Sequence, residues 1–216
     1  MKKVIFCIII AAAAFSCTKN PTLVSPGSSA SSLWPLKAGN TWVYQDSVLN
    51  PTGPAALIYA DTISVTNKTY NDPSGITFYG IQDNTYGFFA SGNYIAVDPS
   101  NTAIYMMDSL SSSPYVFFAT SNQDGALLGS ANDFSNPLCV GLFSQYGFVT
   151  PTTINGYSCL KNIEYNTDCN NATKEVIVTY VSAGVGVVRM EDYEQNPATN
   201  SLYLDYSQTL QSYKLN

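Results

Sequence analysis

The sequence predicts an all-β fold, a single antiparallel meander whose sheet curls into a half-barrel, with a two-sheet sandwich as the alternative arrangement. Three observations predict it. From residue 33 onward no window of a dozen residues carries a 3.6-residue apolar period, while alternation with period two recurs along the whole chain. The alternating runs are rich in Tyr, Val, Ile, Phe and Thr, side chains that pack well on a pleated surface. The links between runs are short and carry turn chemistry, so consecutive strands are expected to be neighbours.

The first run covers 41–48, and the second covers 57–66, where Leu57, Tyr59, Asp61, Ile63 and Val65 share one face. Asn71-Asp72-Pro73-Ser74-Gly75 then turns the chain into 76–82. Asp98-Pro99-Ser100-Asn101 joins 94–98 to 103–107 as a hairpin, with proline where a type I turn favours it. Further runs are expected at 115–120, 157–166, 175–181, 185–193, 202–206 and 209–215, about eleven strands in all. Between them, 121–137 is dense in Gly, Asn, Asp and Ser and is expected to be a long loop.

The rest of the chain is an address. Lys2 and Lys3 precede an apolar run over 4–15, the pattern of a secretory signal, and this run is too short for a spanning helix. Ala14-Phe15-Ser16-Cys17 resembles the lipobox of bacterial lipoproteins. The resemblance implies cleavage before Cys17 and lipidation of its thiol, hence stable anchoring in a membrane; the alternative is a plain signal with an incidental cysteine. Residues 1–16 are thus a signal peptide, 17–32 a lipidated cysteine and flexible tether, and 33–216 the β domain. In bacterial lipoproteins an aspartate after the cysteine favours inner-membrane retention. Thr18 stands there instead, so the outer membrane is expected, on its periplasmic face in preference to the cell surface.

Composition excludes whole classes of chemistry. The 216 residues contain no histidine, which removes Ser-His-Asp and Cys-His catalysis, HExxH zinc sites and histidine pH switches. Only 11% are charged, with nine Lys and Arg against fifteen Asp and Glu, a poor match for nucleic acid. Loss of Lys2 and Lys3 with the signal leaves seven basic residues and a side-chain balance of −8. No metal or cofactor is expected. Of the cysteines left in an oxidising compartment, Cys159 and Cys169 are the expected disulfide and Cys139 a buried thiol.

Leu33-Trp34-Pro35-Leu36-Lys37-Ala38-Gly39-Asn40-Thr41-Trp42-Val43-Tyr44 and Ala183-Gly184-Val185-Gly186-Val187-Val188-Arg189 resemble the opening and closing motifs of a group of uncharacterised lipoproteins from Bacteroidota. The resemblance implies an extracytoplasmic lipoprotein with a mostly antiparallel sheet, of the kind seen in half-barrel lipoprotein carriers. It implies no catalytic residue. Trp34 and Trp42 are either a stacking platform for a sugar or, the bland alternative, a core plug and first strand. Gly184 and Gly186 suit a bulge or a close backbone approach rather than a phosphate loop. Arg189 is either an anion contact or the partner of Glu191 on its own strand face.

Two further patterns carry chemistry. If 157–166 pairs with 175–181 about a centre near Cys169, Glu164 faces Glu175 at the separation retaining glycosidases use. Asp46-Ser47-Val48, Asp61-Thr62-Ile63 and Asp108-Ser109-Leu110 resemble acceptors for O-glycosylation of exported Bacteroidota proteins, and sugars on Ser47, Thr62 and Ser109 would mark exposed edges. The expected function is that of a non-catalytic, membrane-tethered module that binds a sugar or peptide or serves envelope assembly. The alternatives are a carrier of a lipid or other apolar ligand and a carboxylate glycosidase.

Overall fold

The computed structural model describes residues 32–49, 57–84, 89, 93–121, 149–167, 172–196 and 198–216, and the backbone alone of 126–131 and 142–146. The signal, Cys17, the tether up to residue 31, Cys139 and Cys169 lie outside the described residues. Thirteen strands form one antiparallel sheet, so the sandwich alternative is not adopted. They are β1 Thr41–Val48, β2 Leu57–Asn71, β3 Thr77–Asp83, β4 Tyr94–Val97, β5 Ala103–Met107, β6 Tyr115–Ala119, β7 Ala126–Ala131, β8 Leu142–Tyr146, β9 Thr150–Ile154, β10 Tyr157–Thr167, β11 Thr173–Ser182, β12 Gly186–Gln195 and β13 Leu202–Lys214.

The order across the sheet is β6-β5-β4-β3-β2-β1-β13-β12-β11-β10-β8-β7, with β9 added to β10. Each half is a meander, and the first and last strands pair at the centre, Thr41 opposite Lys214 and Val48 opposite Tyr206. In a flat sheet β6 and β10 would stand nine strand spacings apart, about 43 Å. Yet the Glu164 carboxylate of β10 adds to the forces holding the Tyr115 phenol of β6 protonated. Curling has brought the two arms together, which is the expected half-barrel.

The main core lies on the face carrying Trp42 and Tyr44. It includes Ile63, Ile95, Ile104 and Phe118, all with no exposed surface. Sheet register puts these side chains on one side because the pleat alternates.

Four elements depart from expectation. The stretch 121–137 is not a plain loop, since β7 lies inside it. Its Ala, Gly and Ser carry no strand pattern, and the strand exists through pairing with β8. β8 and β9 were likewise not among the expected runs; β9 tolerates Pro151 because it pairs on one side only, with β10. The runs 202–206 and 209–215 are one continuous strand, β13. Ser207-Gln208 looks like a break in sequence, but Gln208 is fully buried on the core face.

Candidate functional site

The two motifs that carry the lipoprotein resemblance meet in space. Trp42 Nε1 donates to the Val185 carbonyl at 2.6 Å, and Tyr44 Oη donates to that of Val187 at 2.9 Å. The Gly184 amide donates to the Ser32 carbonyl at 2.8 Å. Trp34 packs edge-on against Trp42 and Phe89, and Phe89 against Phe117 in turn. Gly186 lies under the indole of Trp34: a Cβ there would come within 2.8 Å of its ring, and the backbone holds φ at +99°. Close approach, one of the two expectations for these glycines, is therefore the reason Gly186 is glycine.

Trp34 and Trp42 have no exposed surface, so the stacking-platform expectation is corrected. Both are core, and no ring face is offered to a sugar. Arg189 is half-buried and forms an ion pair with Glu191 at 2.6 Å, as the bland alternative has it. Glu191 also accepts from the hydroxyls of Tyr180 and Tyr193. Burial first, then the Glu191 charge, pushes the Tyr180 phenol up to about 12.

The two glutamates do not face each other. Register places Glu164 opposite Ile177 and Glu175 opposite Asn166, two residues out from the expected pairing. They are diagonal neighbours, and Asn166 Nδ2 donates to Glu175 Oε2 at 2.5 Å. A diagonal pair has its Cβ atoms roughly 7 Å apart and meets through side-chain reach alone.

The expected disulfide is also corrected. Cys159 is a free, buried thiol, its pKa pushed up to about 11 by burial. Its expected partner, Cys169, lies outside the described residues.

Of the three glycosylation triplets, two are not on exposed edges. Ser47 and Thr62 are half-buried in strands paired on both sides, and their neighbours Asp46 and Asp61 are fully buried. Ser109 lies in a turn beside the exposed Asp108 and Leu110, its hydroxyl 2.8 Å from that of Ser111.

A pocket of about 310 Å³ opens where the chain enters the domain. Ser32, Trp34, Pro35, Leu36, Lys37, Tyr79 and Val97 line it. Asn40 holds this entry turn closed, its Nδ2 donating to the Pro35 carbonyl at 2.5 Å. From the other end of the chain, the Asn216 amide donates to Asn40 Oδ1 at 2.8 Å and Lys37 Nζ donates to the Asn216 carbonyl at 3.0 Å. One wall is thus an aromatic and aliphatic surface, with an ammonium and a phenol available for polar contacts.

The sequence reading missed the buried polar residues of the core face. Asp46, Asp61 and Gln208 have no exposed surface and Asp83 almost none. Gln208 Nε2 donates to Asp61 Oδ2 at 3.1 Å, and Tyr206 Oη donates to Asp46 Oδ2 at 2.6 Å. A signal was present, since Asp46 alternates with Trp42 and Tyr44, and Asp61 with Ile63 and Val65.

No known protein-family profile matches the sequence, and no curated protein does. Two solved structures are similar in fold. One is a candidate lipoprotein from Parabacteroides distasonis ATCC 8503, 15% identical, with a TM-score of 0.46 over 86% of this chain and 99% of that one. The other is a candidate exported protein with a YmcC-like fold from Bacteroides fragilis NCTC 9343, 12% identical, with a TM-score of 0.44 over 84% of this chain and 98% of that one.

Proposed function

We propose that this chain is an exported lipoprotein, anchored through Cys17, whose half-barrel is a non-catalytic binding module at the outer membrane. Its ligand is a small sugar or peptide held in the pocket at the tether end. The observation that carries this reading is the position of the pocket: Ser32, where the tether joins the domain, is part of its wall. A ligand there sits beside the membrane-proximal end of the domain, with Lys37 and Tyr79 as polar contacts and Leu36 and Val97 as apolar ones. The carrier alternative asks for an open, apolar cavity, whereas Trp34, Trp42, Tyr44 and Phe118 fill the core without exposed surface. Ser109 is the one acceptor triplet of the three that stands on an exposed turn, and it is the place proposed for a sugar.

The anchor is tested by feeding labelled palmitate to cells making the full chain and fractionating the membranes. Label and outer-membrane sedimentation are expected, and both are expected to vanish in Cys17→Ala. The pocket is tested by native mass spectrometry and glycan binding with the purified protein. Binding lost in Lys37→Ala and Tyr79→Ala at unchanged melting temperature supports the reading; a ligand unaffected by either substitution, or none from a broad sugar and peptide panel, counts against it.

A further inference from the structure

A row of acids runs across six neighbouring strands on the face that buries Trp42 and Tyr44. Asp46 of β1 lies opposite Gln208 of β13 and Tyr59 of β2. Two residues along β2 is Asp61, and Ile63 beyond it faces Asp83 of β3. In the other direction Asp192 of β12 lies opposite Tyr206 of β13 and Ile177 of β11, and Glu194 faces Glu175. Tyr206 links the two groups, since its backbone pairs with Asp192 while its hydroxyl donates to Asp46. Asp205 and Tyr203 of β13 flank the Asp192 end, joined to each other at 3.0 Å.

No cation balances this row among the described residues. Lys161, Lys174, Arg189 and Lys214 occupy the alternate positions of their strands, which point to the other face, Lys37 precedes β1, and Lys68 is exposed. Nor are any three of these acids grouped so as to hold a metal ion. Asp46 Oδ1, Gln208 Oε1 and Asp192 Oδ1 are buried and accept from nothing. Buried oxygens that meet no donor cost stability, and where no side chain supplies a donor, a proton on a carboxyl does.

We infer that Asp46 and Asp192, carboxylates of this row with a buried oxygen that meets no donor, take up protons as the pH falls, so that the half-barrel tightens in mild acid and loosens in mild base. Burial holds Asp46 above the usual carboxylate range, reinforced by Asp83 and partly offset by the Tyr206 and Gln208 hydrogen bonds. Burial pushes Asp192 up to about 7, and the charges of Glu175, Glu194 and Asp205 push it the same way. A carboxyl raised in the folded state stabilises the fold below its unfolded pKa of 3.8, and that contribution is lost as the pH rises through about 7. With no histidine in the chain, no imidazole shares this window.

The test is the melting temperature of the full chain in detergent from about pH 8.5 to pH 5.5. A rise of roughly 3 to 6 °C toward acid is expected. Asp192→Asn, which mimics the protonated acid, is expected to melt at about pH 8.5 as the unaltered chain does at pH 5.5, with a flattened profile. Asp46→Asn is expected to flatten it too, while Asp108→Asn, in an exposed turn, leaves the slope unchanged. A flat or inverted profile in the unaltered chain overturns the inference, as does a slope untouched by both substitutions in the row. Should neither variant fold, the infrared carbonyl stretch of a protonated carboxyl decides, since it is expected to fade from pH 5.5 to 8.5 without unfolding and its absence at pH 5.5 overturns the inference. Millimolar calcium that raises the melting temperature at pH 8.5 as far as acid does would put a cation where protons are inferred, and overturns it as well.

Discussion

Gly186 and Trp34 make one joint from residues 152 positions apart in the chain. The glycine is held at φ +99° with the indole against it, so alanine meets both a strained backbone and a filled space. Gly186→Ala is expected to lower unfolding free energy by roughly 2 to 4 kcal/mol in urea titration. Trp34→Phe removes ring atoms from that side, so the double variant is expected to lose at least about 1 kcal/mol less than the two single losses added together. Tyr44→Phe, which strips a buried donor from the Val187 carbonyl, is expected to cost about 1 to 2 kcal/mol. At this scale the sequence was legible in kind: one tryptophan before a first strand and one within it, and two glycines at the start of a late one, pointed to a plug and a close approach. That each motif completes the other was not legible, because nothing local in either run names its partner.

Strand β10 shows what period and turn signals settle and what they leave open. Its extent was readable from alternation over 157–166, but its register was not: a displacement of two residues keeps every side chain on the same face, so hydrophobic pattern does not distinguish the expected pairing from the observed one. That displacement separates Glu164 from Glu175, and within the strand Cys159 is a free, buried thiol. Non-reducing peptide mapping of the secreted, oxidised protein is therefore expected to show no Cys159–Cys169 link. Cys159, buried and with its thiol pushed up to about 11, is expected to react with a thiol reagent at neutral pH only after denaturant is added. β7, β8 and β9 escaped the pattern for a different reason. They border or extend the sheet, where pairing with a neighbour forms a strand from residues with little intrinsic preference for one.

On the scale of the whole molecule five acids divide into two groups with opposite effects on stability. Asp46, Asp192 and Glu194 on the core face are raised, and Asp192 weakens the fold as the pH climbs through about 7. Two surface turns work the other way. The Ser74 hydroxyl and the Ile76, Ser74 and Gly75 amides outweigh desolvation at Asp72 and hold its carboxyl below the usual range. At Asp98 burial pushes upward, but the Ser100 and Thr102 hydroxyls and the Ala103 and Thr102 amides outweigh it. A carboxyl lowered in the folded state contributes stability that is present above its unfolded pKa of 3.8 and lost as the pH falls through the folded value. The net curve is thus expected to be a dome, rising from basic pH toward about pH 5, level near pH 4 to 5, and falling below that as the turns let go. The two limbs are separable by substitution. Asp98→Asn keeps an oxygen for the Thr102 and Ala103 amides but removes the charge and replaces with a donor the Oδ2 that accepts from the Ser100 and Thr102 hydroxyls, so it is expected to lower the melting temperature near pH 6 and to soften the acid limb. The basic limb should keep its slope, because Asp98 has no part in the row on the core face. Melting curves of this variant and of Asp192→Asn, each taken from pH 3 to 8.5, are expected to change opposite limbs. A single limb responding to both would show that the two populations are not independent.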